Sequence, residues 1–349
     1  MTKNDSQHSV QPQLSGPFGY GDRVKLTGPK NRINTITLVK GAEFHSHKGV
    51  IKHDDLIGVS DASVITNSAN EPYLAMRPLL SDFVMSMPRG AAIVYPKDAA
   101  QILSLADIYG GATVVEAGVG SGALTLHLLR AIGENGTLHS FERREEFAEI
   151  ARANIVSFTG RHPHTWSLHT GDLQEALPAT CSAQSVDRVV LDMLAPWECV
   201  DVVAQALKPG GVFVSYVATV TQLSRVVEAI RSSGKFTHPE SSETLVRGWH
   251  VEGLAVRPDH RMVAHTAFLV VARKLAEATV LPPLKRRSSK SDFDEQDVAA
   301  WGSPGTPQAD ESFSEEDFGL RPKSDKVLRK KVRGARQLAT DRGSDEFHS

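Results

Sequence analysis

The sequence predicts an α/β fold with a parallel central sheet, set behind a small N-terminal β domain. Three observations carry this. From about Ser81 to Ala276, strand-like and helix-like runs alternate, the pattern of parallel strands joined by right-handed crossovers. From about Leu14 to Leu80 the runs are β-like and have no helical period. At Val114–Thr125, "VVEAGVGSGALT", a β-rich run enters a glycine-rich turn and then a helix.

The bulk numbers bound the answer. The chain has 349 residues, 40% hydrophobic and 23% charged, enough for a sizeable core and two domains plus extras. No apolar run approaches the ~18–20 residues of a membrane span. The polar start "MTKNDSQHSVQPQ" lacks the apolar stretch of a signal peptide, so a cytoplasmic protein is expected. Cys181 and Cys199 form no CxxC pair and suggest no disulfide framework. The net charge of −2 does not advertise a nucleic-acid binder; an RNA partner would need local basic patches.

The elements follow in order. Residues 1–13 are expected to be disordered and 14–80 to form the β domain, barrel-like in form. Within it, "RVKLTGPKNRINTITLV" reads as two strands around a turn at Gly28-Pro29-Lys30-Asn31, and "VITNSANEPYLAM" as a second hairpin with a longer loop. In the domain at 81–281, strands are expected near Thr113–Ala117, Thr137–Glu142, Ser167–Thr170, Val186–Asp192 and Val212–Val217. Helices are expected between them, at Ala123–Ile132 and Glu145–Ser157 among others. "ETLVRGWHVEGLAVRP" and "HTAFLVVARKL" fit an antiparallel pair closing the sheet. From residue 282 to 349 the chain carries 13 Lys/Arg and 13 Asp/Glu with few branched aliphatics, the composition of a disordered tail. Its segment "KVLRKKVRGARQ" concentrates basic residues; a solvated tail is the first expectation, an RNA contact the second.

The glycine turn excludes a P-loop, because no Gly-Lys-Ser/Thr follows. Two readings survive. Gly118, Gly120 and Ala123 satisfy GxGxxA, a weak dinucleotide fingerprint. Gly118, Gly120 and Gly122 satisfy GxGxG behind Glu116, which suits S-adenosylmethionine: an acid at the strand end meets its ammonium, directly or through water. Glu142 ends the next strand, where a carboxylate takes both ribose hydroxyls under either reading. Asp172, in "HTGDL", can accept from an adenine amino group, with Leu173 offering a backbone N–H. Asp192, in "VDRVVLDMLAPWE", ends the fourth strand beside the switch point at which such sheets bind ligands. Any one strand-end acid is often only a helix cap; four in succession are harder to dismiss.

Longer motifs then make a resemblance specific. "LDMLAPW", "EFHSHKG", "RPLLSDFVMSMPRGAAIVYPKDAAQIL", "EAGVGSGALTL", "YVATVTQLSRVVEAI" and "RGWHVEGLAVRP" resemble the tRNA (adenine-58-N1)-methyltransferase family in its prokaryotic single-polypeptide form, over about Gly16 to Lys274. The resemblance implies a class I methyltransferase domain with a Rossmann-like seven-stranded sheet, S-adenosylmethionine as cofactor, and a homotetramer that binds tRNA. It implies that Gly118, Val119, Gly120 and Ser121 form the cofactor loop, that Glu142 binds ribose and that Asp172 lies near the cofactor adenine. Asp192 would be the catalytic-pocket acid, Tyr95 in "VYPKD" the aromatic beside the target base, and Gln101 a neighbour of the methionine end. Where relatives often carry His, this chain has Phe147; packing on the cofactor adenine and packing in the core are equally good accounts of it.

On this resemblance the reaction is in-line methyl transfer to adenine N1 of an extruded base, with Asp192 accepting from N6. Lys25, Lys30, Arg32, Lys48 and Lys52 would face the RNA. His45, His47 and His53 match structural zinc spacing poorly, so no metal is expected. A nicotinamide oxidoreductase and a non-catalytic RNA-binding subunit are the competing readings. The first lacks a hydride-transfer constellation, and the intact loop with Asp192 argues against the second.

Overall fold

Gly28-Pro29-Lys30-Asn31 turns the chain back on itself, with Lys30 and Asn31 at positive φ (61° and 56°). The computed structural model describes residues 15–282 and 325–340. The turn joins β1 (Arg23–Thr27) to β2 (Ile33–Thr37), which pair antiparallel with Thr27 opposite Ile33. After the hairpin of β3 (Glu43–Ser46) and β4 (Gly49–Lys52), β5 (Ser63–Thr66) and β6 (Pro72–Met76) form the second expected hairpin. β6 returns beside β1, giving the order β2-β1-β6-β5. The ladder is open rather than a closed barrel. Val24, Leu26, Leu38, Leu56 and Ala75 fill its core.

Charge and apolar contact tie this domain to the next. Asp82 of α1 (Leu80–Ser86) receives Lys25 Nζ at 3.0 Å. The Arg23 guanidinium lies 4.3 Å from the Phe83 ring centroid and donates to Ser157 Oγ. Lys25 therefore does not face outward as expected: its charge is held by Asp82 at the junction, whereas Lys30, Arg32, Lys48 and Lys52 are exposed.

The second domain alternates as expected: α2 (Pro96–Leu105), β7 (Thr113–Ala117), α3 (Ala123–Ile132), β8 (Thr137–Glu142), α4 (Glu145–Thr159), β9 (Trp166–Thr170), α5 (Leu173–Thr180), β10 (Val186–Leu191), α6 (Val200–Ala206), β11 (Leu207–Val217) and α7 (Val220–Ser233). Five parallel strands run in the order β11-β10-β7-β8-β9. Their apolar runs are buried on both faces, as helices on either side require: Val114 and Val115 are both inaccessible to solvent. The chain leaves β7 for β8 and β9 on one side, then crosses to β10 on the other. Sheets of this order place their ligand crevice at such a reversal, here at the carboxyl ends of β7 and β10.

The closing pair differs from expectation. β15 (Phe268–Arg273) does run antiparallel to β11, but its outer partner is β12 (Glu240–Glu243). The "RGWHVEGLAVRP" run folds on itself as β13 (Trp249–Glu252) and β14 (Ala255–Pro258). Gly253 at φ +54° opens a two-residue turn, so local closure wins over pairing with the sheet.

The tail also differs from expectation. Within 282–349 lies a helix, α8 (Asp325–Thr340), packed on α4. Val332 is buried and Leu328 half-buried against Phe147, Ile150 and Ala91, and Ala335 is buried too. In proteins most helical stability comes from packing an apolar face rather than from intrinsic propensity. Burying a valine contributes about 1.5–3 kcal/mol, so packing decides whether α8 forms. Residues 1–13 lie outside the described part.

Candidate active site

Gly118, directly after β7, is the closest approach in the crevice. Its φ is +84°, and a Cβ placed there would stand 1.6 Å from the carbonyl oxygen of Asp192. The Gly118 N–H donates to the Phe141 carbonyl and the Asp192 N–H to the Ala117 carbonyl. The turn is thus pressed between β8 and β10, which brings Asp192 to the loop. Gly120 and Gly122 also have positive φ (56° and 81°). Val119 is buried, and its carbonyl accepts from the Gly122 N–H, closing the turn into α3. Ser121 Oγ accepts from the Gly90 N–H at 3.0 Å, and Asn154 Nδ2 donates to the carbonyls of both Ser121 and Pro88. These contacts fasten residues 88–90 to the loop.

Glu142 reaches back from the end of β8. Its Oε2 accepts from the Gly120 N–H at 2.9 Å and its Oε1 from the Arg144 N–H at 3.1 Å. Each oxygen retains a lone pair for a ligand hydroxyl. Glu116 is buried beneath the loop, with both oxygens bonded by Thr125 Oγ1 and Oε2 also by Ser140 Oγ at 2.7 Å. Burial pushes its carboxyl up to about 7, against the lowering effect of those hydroxyls. Asp192 differs in having no side-chain hydrogen bond to a described residue. Desolvation, then the charges of Glu116 and Glu142, push it up to about 7 as well.

Asp172 caps α5, its Oδ1 accepting from the Gln174 N–H at 2.9 Å, while Oδ2 lies 3.9 Å from Arg143. The capping role that any strand-end acid can have is present here, and the carboxylate remains half-exposed. Leu173 opens α5, so its N–H has no intrahelical acceptor. Phe147 is buried under α8, with the Arg144 guanidinium 3.7 Å from its ring centroid. Tyr95 precedes α2 half-buried and accepts through its carbonyl from the N–H groups of Asp98 and Ala99. Gln101 is half-buried on α2, and its side chain makes no hydrogen bond to a described residue.

Sequence reasoning missed Tyr216. Leu191 pairs with Ser215 across β10 and β11, so Tyr216 stands level with Asp192. Burial, then the charges of Asp98 and Asp192, hold its phenol well above the usual tyrosine range. Its hydroxyl donates to Asp98 Oδ2 at 3.2 Å; that buried carboxylate also receives Lys97 Nζ and Thr266 Oγ1, each at 2.7 Å. No local pattern in the sequence marks it: the register of β11 on β10 is what sets the residue after Ser215 beside the acid that ends β10.

Two raised carboxyls give a testable sign. An unfolded aspartate titrates at ~4. Asp192 in the fold titrates at about 7, so between those values the folded state binds the extra proton and stability falls as pH rises. The stability of Asp192→Asn relative to the parent should therefore rise from pH 5 to pH 8, by on the order of 1–3 kcal/mol. Denaturant unfolding at both pH values measures the difference; a gap independent of pH would contradict the assigned environment.

Among the described residues, no three His, Cys, Asp or Glu side chains are grouped to hold a metal ion. His53 Nδ1 accepts from the Val39 N–H, and Cys181 and Cys199 are buried free thiols.

A sheet of this strand order, with a glycine turn at its switch point and acids ending β8 and β10, defines a class I methyltransferase fold. The TrmI-like N-terminal family model matches residues 16–65, and the model of the tRNA methyltransferase complex GCD14 subunit matches residues 73–257. The chain is 34% identical over 263 residues to the Thermus thermophilus tRNA (adenine(58)-N(1))-methyltransferase TrmI, covering 74% of this chain and 97% of that one. The tRNA (m1A58) methyltransferase TrmI structure from Aquifex aeolicus superposes with TM-score 0.65 at 26% identity, covering 75% of this chain and all of that one. A Thermotoga maritima structure described as a SAM-dependent O-methyltransferase superposes with TM-score 0.70 at 31% identity, over 75% and 96%. The chain belongs to the tRNA (adenine-58-N1)-methyltransferase family.

Proposed function

We propose that the protein transfers a methyl group from S-adenosylmethionine to N1 of adenine 58 in the T-loop of tRNA. The observation that carries this is the juxtaposition at the switch point: the Gly118 backbone pressed against Asp192, with Glu142 bonded to the same loop through the Gly120 N–H. The donor supplies a methyl group on a sulfonium. The residues fit such a molecule, because three left-handed glycines leave the loop backbone bare and Glu142 offers acceptors for ribose hydroxyls. Asp172 and the Leu173 N–H would receive the adenine edge. Gln101 and, from beneath the loop, the Glu116 carboxyl would serve the methionine end.

Adenine N1 already has a lone pair, so no base must act before attack. Asp192 in its ionised form accepts from the N6 amino group, which aligns N1 and offsets the positive charge developing on the ring. Tyr216, level with Asp192, would keep water from that position, and Tyr95 would lie beside the base. Extrusion of the base from folded tRNA costs a few kcal/mol, met by contacts to the RNA. Lys30, Arg32 and Lys52, exposed on the β domain, would meet its phosphates.

Self-association completes the reading, as a homotetramer. Trp249, Val251, Leu254 and Val256 cluster on the β13–β14 hairpin, and Leu254 is fully exposed in the single chain. Trp249→Asp with Leu254→Asp should shift the protein to a smaller species in light scattering. An unchanged mass would remove the hairpin from the interface.

The test of the function is nucleoside mapping of tRNA incubated with the protein and labelled donor. The expected product is 1-methyladenosine at position 58. Absence of that product, or no affinity for S-adenosylhomocysteine, overturns the reading.

A further inference from the structure

The helix α8 lies outside both matched family segments, which end at residue 257. Its inward side chains, Leu328, Lys331, Val332 and Ala335, fall at i, i+3, i+4 and i+7, one stripe facing α4. The opposite side is basic. Arg329, Lys330 and Arg333 are exposed and form no ion pair or hydrogen bond with a described residue. Two other charges are used for docking: Arg336 pairs with Glu149 of α4, and Lys331 Nζ donates to the Arg89 carbonyl. The helix is thus held by its apolar stripe and two cations, while three cations remain outward.

Its position matters as much as its charge. Arg89 adjoins Gly90, whose N–H donates to Ser121 Oγ of the glycine loop. Ala91, which packs under α8, is also the side chain nearest the open side of Gly120. One short segment, residues 89–91, therefore lies between the docked helix and the loop beside Asp192. A polyanion gripped by the outward face of α8 would be held next to the reaction centre.

We infer that α8 is an RNA-contact element of this chain, which presents Arg329, Lys330 and Arg333 to backbone phosphates of the bound tRNA. The inference rests on the tRNA reading given above. Phosphate neutralisation is the chemistry that three outward, neighbouring cations offer: each phosphate they neutralise releases condensed counterions. An acidic protein segment is the alternative occupant of the same face.

The experiment compares the full chain with Arg329→Gln/Lys330→Gln/Arg333→Gln, three exposed positions that leave the docking stripe intact. Wild-type methylation of tRNA is established first; if the parent neither methylates nor binds tRNA, the functional reading fails and this inference with it. With an active parent, the variant should show a KM for tRNA raised about tenfold at moderate salt, with kcat and S-adenosylhomocysteine affinity unchanged. The slope of log K against log salt should shrink by about 2–3, because each phosphate no longer neutralised removes roughly 0.7–0.9. Unchanged slope and KM, in a variant whose donor affinity shows it folded, overturn the inference while the functional reading stands, and leave a protein partner as the surviving occupant.

Discussion

Asp192→Ala is expected to lower kcat about 10²–10³-fold while leaving S-adenosylhomocysteine affinity within a few-fold of the parent. That is the scale on which one preorganised electrostatic group acts on developing charge. The structure explains the expected split. The side chain of Asp192 makes no hydrogen bond to a described residue, so truncation removes nothing that braces the loop. The contact that does brace the loop is made by its backbone, through the Ala117 carbonyl and against Gly118. The free-enzyme pH profile should carry a limb near 7, with activity rising as Asp192 ionises, because its carboxyl sits at about 7. Asp192→Asn should lack this limb. Full activity in the alanine variant would refute the role. The asparagine variant's expected rise in relative stability from pH 5 to pH 8 belongs to the same account: the crevice holds a charge that the fold alone would rather neutralise.

Gly118→Ala should abolish measurable donor binding, by at least about 100-fold, and lower the unfolding midpoint. The added methyl would stand 1.6 Å from a backbone oxygen, so the loop or the end of β10 must move. Overpacking of this kind costs about 1–3 kcal/mol, and the left-handed backbone adds ~1–2 more for a residue with a Cβ. Gly122→Ala is the control. Its φ is also positive, but the nearest atoms to a new Cβ lie at 3.4 Å, on Ala151 and Ile155. It should keep donor affinity within about tenfold and lose only a modest amount of stability. Calorimetry with S-adenosylhomocysteine separates the two. Equal losses at both positions would show that strain alone, rather than close approach to Asp192, explains the glycines.

Much of this was legible residue by residue. The helix at Ala123–Ile132 and the strands at Thr113–Ala117 and Thr137–Glu142 have the bounds that periodicity predicted. Long apolar runs broken by glycine leave few alternatives when both faces of a sheet are to be covered. The two β-domain hairpins were legible for a similar reason, since Gly-Pro-Lys-Asn strongly favours a turn. Asp172 was legible as an acid at a strand end, but its use as a cap for α5 shows that chain position does not choose between capping and ligand contact.

The tail helix was hidden by averaging. Four inward positions among 68 residues with balanced charge do not raise the mean, and only packing on Phe147 and Ile150 gives the stripe a partner. Lys25 was misjudged because charge says nothing about which carboxylate is near; Asp82 is 57 residues away in sequence.

The order of strands and helices, the turn chemistry and the row of strand-end acids were set by the sequence itself, because periodicity and left-handed glycines act within a few residues. What the tertiary structure alone decided was adjacency. The register of β10 against β11 put Tyr216 beside Asp192, the reversal between β7 and β10 pressed Gly118 onto the Asp192 carbonyl, and α8 found α4 from far along the chain. Such pairings join residues tens or hundreds of positions apart, and only the packed core determines which of them meet.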